Sequence, residues 1–165
     1  YRKEDIEKIK NKIEKIHEDI TQGKEKIEIK YFSDANTRQN FLNELKSRRK
    51  LDIIKGFTTK GIHRDDFMIY INGKEVDIYG SQGQNRTTIL SLKLSELQVI
   101  YDDIGEYPIL LLDDFMSELD NKRIKNFLDN INNIQVIITC TEKIKLENLK
   151  YFLYNVVDGD VIEKN

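Results

Sequence analysis

The sequence predicts an α/β fold, a sheet covered by helices and entered through a helical arm. Three observations predict it. Two short unbroken apolar runs, Ile109-Leu110-Leu111-Leu112 and Val136-Ile137-Ile138, read as strands buried on both faces. Segments of helical periodicity precede and separate them, which puts helices against the sheet. An isoleucine seam, Ile6, Ile9, Ile13, Ile16 and Ile20, alternates spacings of three and four at the front.

That seam is just over two heptads long, so it describes either one amphipathic helix packed on its own domain or the end of a longer helical hairpin. The pattern is already running at the first residue, which favours the hairpin. Thr21-Gln22-Gly23 stops the helix, with Gly23 suited to the left-handed position after it. Ile27, Ile29 and Tyr31 alternate within Lys26 to Phe32, a strand signal. Ser33 or Asp34 is placed to cap a helix carrying Phe41, Leu42 and Leu45, which is expected to end in Lys46-Ser47-Arg48-Arg49-Lys50. These cations suit the negative end of a helix dipole or a phosphate backbone, and the solvated helix end is the simpler reading.

Phe67 to Ile71 and Lys74 to Tyr79 flank Asn72-Gly73, a strong hairpin signal. Gly80-Ser81-Gln82-Gly83-Gln84 then leads into a helix with Leu90, Leu94, Leu97, Tyr101 and Ile104 on one face, closed by Gly105. Pro108 opens the first buried strand, which ends in Asp113-Asp114. Asp120 caps a helix with Ile124, Phe127, Leu128 and Ile131, and Thr139-Cys140-Thr141 follows the second buried strand. A short helix is expected around Lys145 to Lys150. A second hairpin, Tyr154 to Val157 and Val161 to Glu163, turns at Asp158-Gly159.

Composition narrows the function. The chain has 165 residues with a formal net charge of -2, which excludes a strongly basic or acidic tail. Charge is uneven, however: residues 1–50 carry 14 basic and 10 acidic groups, and residues 51–165 carry 13 and 19. No apolar run reaches the roughly 18 residues of a membrane span, and no signal-peptide pattern opens the chain. The single Cys140 excludes an internal disulfide, and with only His17 and His63 a structural zinc site has too few ligands. A cytoplasmic protein is expected. Cys140 reads as a small buried core residue.

Two segments carry chemistry. Asp113-Asp114 places paired carboxylates at the C-terminal end of a buried strand, where open α/β sheets bind ligands. Adjacent carboxylates at one edge call for a cation, and Mg²⁺ held by a carboxylate and phosphate oxygens is the natural one. A Walker B strand and a receiver-type phosphoacceptor site both satisfy this pattern. In Gly80-Ser81-Gln82-Gly83-Gln84, helix N–H groups, a hydroxyl and close-approach glycines suit an anion, although a serine-capped turn explains the same residues. The stretch His63-Arg64-Asp65-Asp66 lacks a nucleophile or second ligand, so it reads as a buried polar network near the site, with Arg64 paired to Asp65 or Asp66 or facing a partner.

Taken in order, the turn, long helix, buried strand, Asp-Asp and Ser117-Glu118-Leu119-Asp120 resemble the signature motif, Walker B strand and D-loop of an ABC-type ATPase head. Gly61-Ile62-His63-Arg64-Asp65-Asp66, Gly80 through Thr88, and Gly105 through Asp114 closely resemble the RecF family, bacterial recombination mediators related to SMC and Rad50 ATPases. The likeness runs from about Lys30 to Thr141 and is most specific from Gly61 to Asp120; residues 1–29 match only in helical character. It implies that residues 1–50 are a helical arm, a remnant of lobe II, and that residues 51–165 are the C-terminal half of the ATPase head. It implies that Ser81, Gln82, Gly83 and Gln84 form the signature that binds the ATP of the opposite subunit, with Ser81 and Gly83 touching its γ-phosphate. Asp113 would hold Mg²⁺, Asp114 would orient the attacking water, and Asp120 would be the D-loop aspartate. Most ABC ATPases have glutamate at the position of Asp114, and the shorter side chain suits slow hydrolysis. Thr139 or Thr141 would sense the γ-phosphate where transporters often have histidine. Arg48, Arg49 and Lys50 are candidate DNA contacts. The family implies ATP-driven homodimerisation, DNA binding at gaps and junctions in repair, replication and the SOS response, and RecO- and RecR-type partners in loading RecA.

Phosphoryl transfer in this class needs G-x-x-x-x-G-K-[ST]. Only Gly23 and Gly73 precede lysine, and neither has a glycine five residues earlier. The chain is therefore expected to be the C-terminal part of a larger ATPase, inactive alone, with some apolar sheet surface left open or paired with another copy. The competing readings are a head fragment of another SMC/Rad50-like ATPase and a non-enzymatic module that oligomerises through Ile6 to Ile20.

Overall fold

The computed structural model describes residues 2–33, 37–114, 119–131, 133–141 and 150–164. The chain opens with helix α1 (Arg2–Thr21), strand β1 (Ile27–Phe32) and helix α2 (Arg38–Lys55). A 3₁₀ turn at Ile62–Arg64 leads to β2 (Asp66–Ile71), β3 (Lys74–Glu75) and the one-turn helix α3 (Val76–Tyr79). Then come α4 (Gln82–Ile104), β4 (Leu110–Leu112), α5 (Asn121–Asp129), β5 (Val136–Ile138), β6 (Leu153–Val157) and β7 (Asp160–Lys164).

The isoleucine seam is spent inside the molecule. Ile13 and Ile20 are buried, and Ile6, Ile9 and Ile16 pack against the two cores. That removes the surface an oligomerisation helix would need. β1, β2 and β3 form an antiparallel sheet in which Ile27 faces Ile71 and Ile29 faces Ile69. Its buried face meets Ile13 and Val76 to make one core. Ile20 of α1 joins a second core with Leu90, Leu94 and Leu97 of α4, Leu110 and Leu112 of β4, and Ile124, Phe127 and Leu128 of α5. On its other buried face α4 carries Thr87, Ser91 and Ser95, each hydroxyl donating to the carbonyl one turn back. Ser91 meets His17 of α1, so small side chains let the two helices approach. At the surface Lys8 pairs with Asp103 at 2.7 Å and Lys12 with Asp102 at 2.5 Å.

β4 and β5 are parallel, Leu111 beside Ile137, as the intervening α5 requires. They are not buried on both faces. Leu110 and Leu112 point into the core, while Ile109, Leu111 and Ile137 are more than half exposed. The open apolar surface expected from the sequence is present here. An unbroken apolar run reports that both faces are apolar, and among the described residues only one is covered. The β6–β7 hairpin turns at Asp158 and Gly159, both at positive φ, and Val156 and Val161 are likewise open to solvent.

Four further expectations are corrected. Thr37 caps α2, its hydroxyl accepting from the Asn40 N–H at 3.2 Å; Ser33 lies outside the helix, and Asp34 outside the described residues. α2 does not end in its basic cluster but runs to Lys55, where Gly56 at φ 74 donates to the Asp52 carbonyl. Strand pairing after Asn72-Gly73 lasts two residues before Val76–Tyr79 coils, because Val76 turns into the core. Cys140 is exposed, since β5 has already ended at Ile138. The helix expected around Lys145 falls largely on residues 142–149, outside the described set. Among the described residues no helix is long and apolar enough to cross a membrane.

Candidate functional site

Ser81 is the N-cap of α4, held extended at φ -69 and ψ 161. Its oxygen accepts the Gln84 N–H at 3.2 Å, and the Gln84 side chain accepts the Ser81 N–H at 3.0 Å. This reciprocal box fixes the first turn. It also leaves the Ser81 O–H proton and the N–H groups of Gln82 and Gly83 without an intrahelical partner, at the positive end of a 23-residue helix. Ser81 and Gln82 are exposed; Gly83 and Gln84 are half-buried. The arrangement suits an anion arriving along the helix axis.

Asp113 and Asp114 stand exposed beyond the C-terminal end of β4, and Asp114 takes a left-handed φ of 45. Thr139, at the matching end of β5, ties them together. Its N–H donates to the Leu112 carbonyl at 2.9 Å, its hydroxyl donates to Asp113 Oδ1, and its oxygen accepts the Asp114 N–H at 3.1 Å. One hydroxyl therefore orients the side chain of one aspartate and the backbone of the next. Thr141 is exposed two residues further on.

Asp120 caps α5. Its Oδ1 accepts from the N–H groups of Lys122 at 3.0 Å and Arg123 at 2.9 Å. Ser117 and Glu118 lie outside the described residues. Arg48, Arg49 and Lys50 are exposed in the middle of α2, not at a helix terminus.

The His63 stretch forms no buried network. His63 Nε2 bonds the Thr58 carbonyl at 3.1 Å, Arg64 lies over the Phe57 ring, and Asp65 accepts from Tyr31 at 2.6 Å and Ser33 at 3.0 Å. His63 and Arg64 hold the loop to itself, and Asp65 fastens it to the end of β1. His63, Arg64 and Asp66 are exposed and Asp65 is half-buried.

The buried polar cluster lies elsewhere. His17 is fully buried, its Nδ1 2.9 Å from Ser91 Oγ and its Nε2 3.4 Å from Glu25 Oε2. Glu25 in turn accepts from Arg123 at 2.6 Å. Burial pushes the His17 pKa below its usual value, outweighing the pull of Glu25. The Ser91 proton goes to the Thr87 carbonyl, so Ser91 Oγ is left to accept an Nδ1–H from the ring. In the sequence the signal was faint: His17 sits four residues after Ile13 and three before Ile20, on the edge of the seam.

No family model matches the chain. It is 43% identical over 166 residues to the DNA replication and repair protein RecF of Clostridium perfringens, a match covering 94% of this chain and 45% of that protein. It is 49% identical over 140 residues to RecF of Clostridium kluyveri, covering 82% and 38%. Two solved structures of the recombination mediator protein RecF in the RecFOR pathway, RecF-ATP and RecF-ATPrS, superpose with TM-scores of 0.78 and 0.77 at 35% and 36% identity. Each match covers nearly all of this chain and 45% of that one. The chain thus spans less than half the length of the relatives it matches.

Proposed function

Because the chain belongs to the RecF family, corresponding to the C-terminal part of those proteins, we propose that it supplies the signature face, Walker B carboxylates and D-loop of a RecF-like DNA repair ATPase. The observation that carries this reading is the Asp113–Asp114–Thr139 cluster at the C-terminal edge of the parallel β4–β5 pair.

The donor set suits Mg²⁺. Among the described residues no group of three or more His, Cys, Asp or Glu side chains could hold a metal. An ion here would take Asp113 as its protein ligand, with phosphate oxygens and water completing the shell. It would neutralise charge developing on the transferred phosphoryl group. Asp114 orients the attacking water. Thr139, rather than Thr141, responds to the γ-phosphate, because its hydroxyl already bridges both aspartates. Ser81, Gln82, Gly83 and Gln84 present N–H and O–H donors to the ATP of a second copy, and Asp120 stands at that interface. The phosphate-cradling lysine comes from the part of the RecF proteins that this chain does not span. The whole protein dimerises on ATP in the cytoplasm, binds DNA at gaps and junctions with Arg48, Arg49 and Lys50 as candidate contacts, and works with RecO- and RecR-type partners in loading RecA.

The test uses the whole parent protein. Ser81→Arg puts a long cation where the second copy's nucleotide must seat. Sedimentation with ATP should show loss of the dimer, while ATP affinity of the monomer stays within about twofold. Asp114→Asn should bind ATP, hydrolyse it at least about a hundredfold more slowly and accumulate as dimer. An ATP-dependent dimer that persists unchanged in Ser81→Arg would mean the signature assignment is wrong.

A further inference from the structure

We infer that Arg123 is a positioning residue for Asp120, and that Glu25 and His17 at the end of the helical arm set Arg123. The inference rests on the reading above, in which Asp120 belongs to the ATP-dependent interface.

Arg123 holds Asp120 twice. Its backbone N–H donates to Oδ1 at 2.9 Å, and its side-chain Nε lies 3.7 Å from Oδ2. The other end of the same guanidinium donates from Nη2 to Glu25 Oε1 at 2.6 Å. Asp120 is 62% exposed at its side chain, Arg123 22% and Glu25 9%. The cluster therefore runs from the solvent edge of the site to the interior. There His17 takes it on to Ser91 of α4, the helix that begins at Ser81.

A cap alone does not need this. The two backbone N–H bonds to Asp120 already complete the start of α5. A largely buried Arg–Glu pair is also a poor source of stability, since desolvation offsets most of its attraction. What the pair adds is direction. Arg123 holds the outer carboxylate oxygen of Asp120 in one place, and Glu25 keeps Arg123 from swinging out to water. Glu25 sits in the short link between α1 and β1, just past Gln22 and Gly23 at positive φ. A shift of α1 therefore moves Glu25, which moves Arg123, which releases the Asp120 carboxylate. Through this route the arm and the ATP-facing edge of the head share one set of polar contacts.

The experiment is a double-mutant cycle in the whole parent protein. Arg123→Gln should weaken the ATP-dependent dimer about tenfold, with the KM for ATP within about twofold. Asp120→Asn keeps the cap but loses the charge that Arg123 holds. On that background Arg123→Gln should add less than about twofold. Arg123→Lys keeps the cation without the fork and should fold normally with an intermediate defect. Equal, additive losses on both backgrounds, or an unchanged dimer in both Arg123 variants, would overturn the inference. Ser81→Arg run in parallel separates the two ideas: no effect there overturns the interface reading and this inference with it. A normal Ser81→Arg defect with additive Arg123 effects overturns this inference alone.

Discussion

Gly80 precedes the Ser81 cap, and a methyl group there has nowhere to go. A Cβ would stand 2.4 Å from the Val76 carbonyl oxygen and 2.6 Å from Asn85 Oδ1. Its φ of -72 is open to any residue, so space alone demands glycine. Gly105 is the opposite case, at φ 86 with nothing within 4 Å of an added Cβ. Gly80→Ala should thus cost about 1–3 kcal/mol in a denaturant titration and tilt α3 away from the start of α4. A variant as stable as wild type would show that the junction yields. His17 supports a second expectation at this scale. It is packed against Ser91 and Glu25, with Arg123 beyond, and burial holds its pKa below the ordinary 6.5. The unfolded chain then takes up the proton more readily than the folded one. The stability His17 contributes is complete above about pH 6.5 and is lost as pH falls through the interval down to its lowered folded value. Thermal midpoints should drop as pH falls below about 6.5, and His17→Gln should flatten that dependence. An equally steep drop in the variant would remove His17 as its source.

α2 and α4 are both long helices, and they are held in opposite ways. α4 buries Thr87, Thr88, Leu90, Ser91, Leu94, Ser95 and Leu97. α2 buries none of its 18 residues, and Ile53 and Ile54 are 72% and 81% exposed. Its order comes from its ends: the Thr37 cap, the Gly56 left-handed turn and Asp52 accepting from the Thr59 N–H and hydroxyl at 2.9 and 2.6 Å. Those Thr59 bonds also hold the Asp52 carboxyl below its usual pKa. A helix of this length without packing is marginal in water. Amide exchange in α2 should run at least about tenfold faster than in the centre of α4, and Thr37→Ala should speed it further. Equal protection in both helices would mean that α2 is covered in solution. The contrast also marks where sequence reading worked. The leucine spacing of α4, the Asp120 and Ser81 caps and the Asn-Gly and Asp-Gly turns are local signals, and those helices, caps and turns stand where the signals put them, although the strand after Asn72-Gly73 pairs for only two residues. The end of α2 differs from the sequence expectation because four basic residues within five positions look like a helix terminus, whereas Asp52 and Gly56, which stop it, act through contacts with Thr59 and the backbone. The Glu25–Arg123 pair joins positions 98 residues apart, and nothing in the local pattern of either announces it.

At the scale of the molecule, the apolar runs of β4 and β5 were legible as sheet, but not what covers them. Leu110 and Leu112 are matched by α4 and α5, while Leu111 at 69% and Ile109 at 55% exposure face outward without a layer among the described residues. A parallel pair normally has both faces covered. The relatives are more than twice as long as the match, so they have chain enough to supply the second layer along with the phosphate-binding lysine that is missing here. Both deficits have one consequence for ligand binding. In the proposed reading Ser81 would serve the nucleotide of a second copy, and Asp113 would need phosphate oxygens that another segment must hold in place. The 165-residue chain by itself should therefore give no resolvable heat with Mg-ATP, a Kd weaker than about 1 mM, and should bind a hydrophobic dye through the open strand face. Adding the remaining part of the parent polypeptide in trans should quench the dye signal and bring micromolar ATP binding together. Micromolar ATP binding by the 165-residue chain alone would show that its own helix N-terminus and carboxylates already make a nucleotide site, and the division of labour argued here would fall.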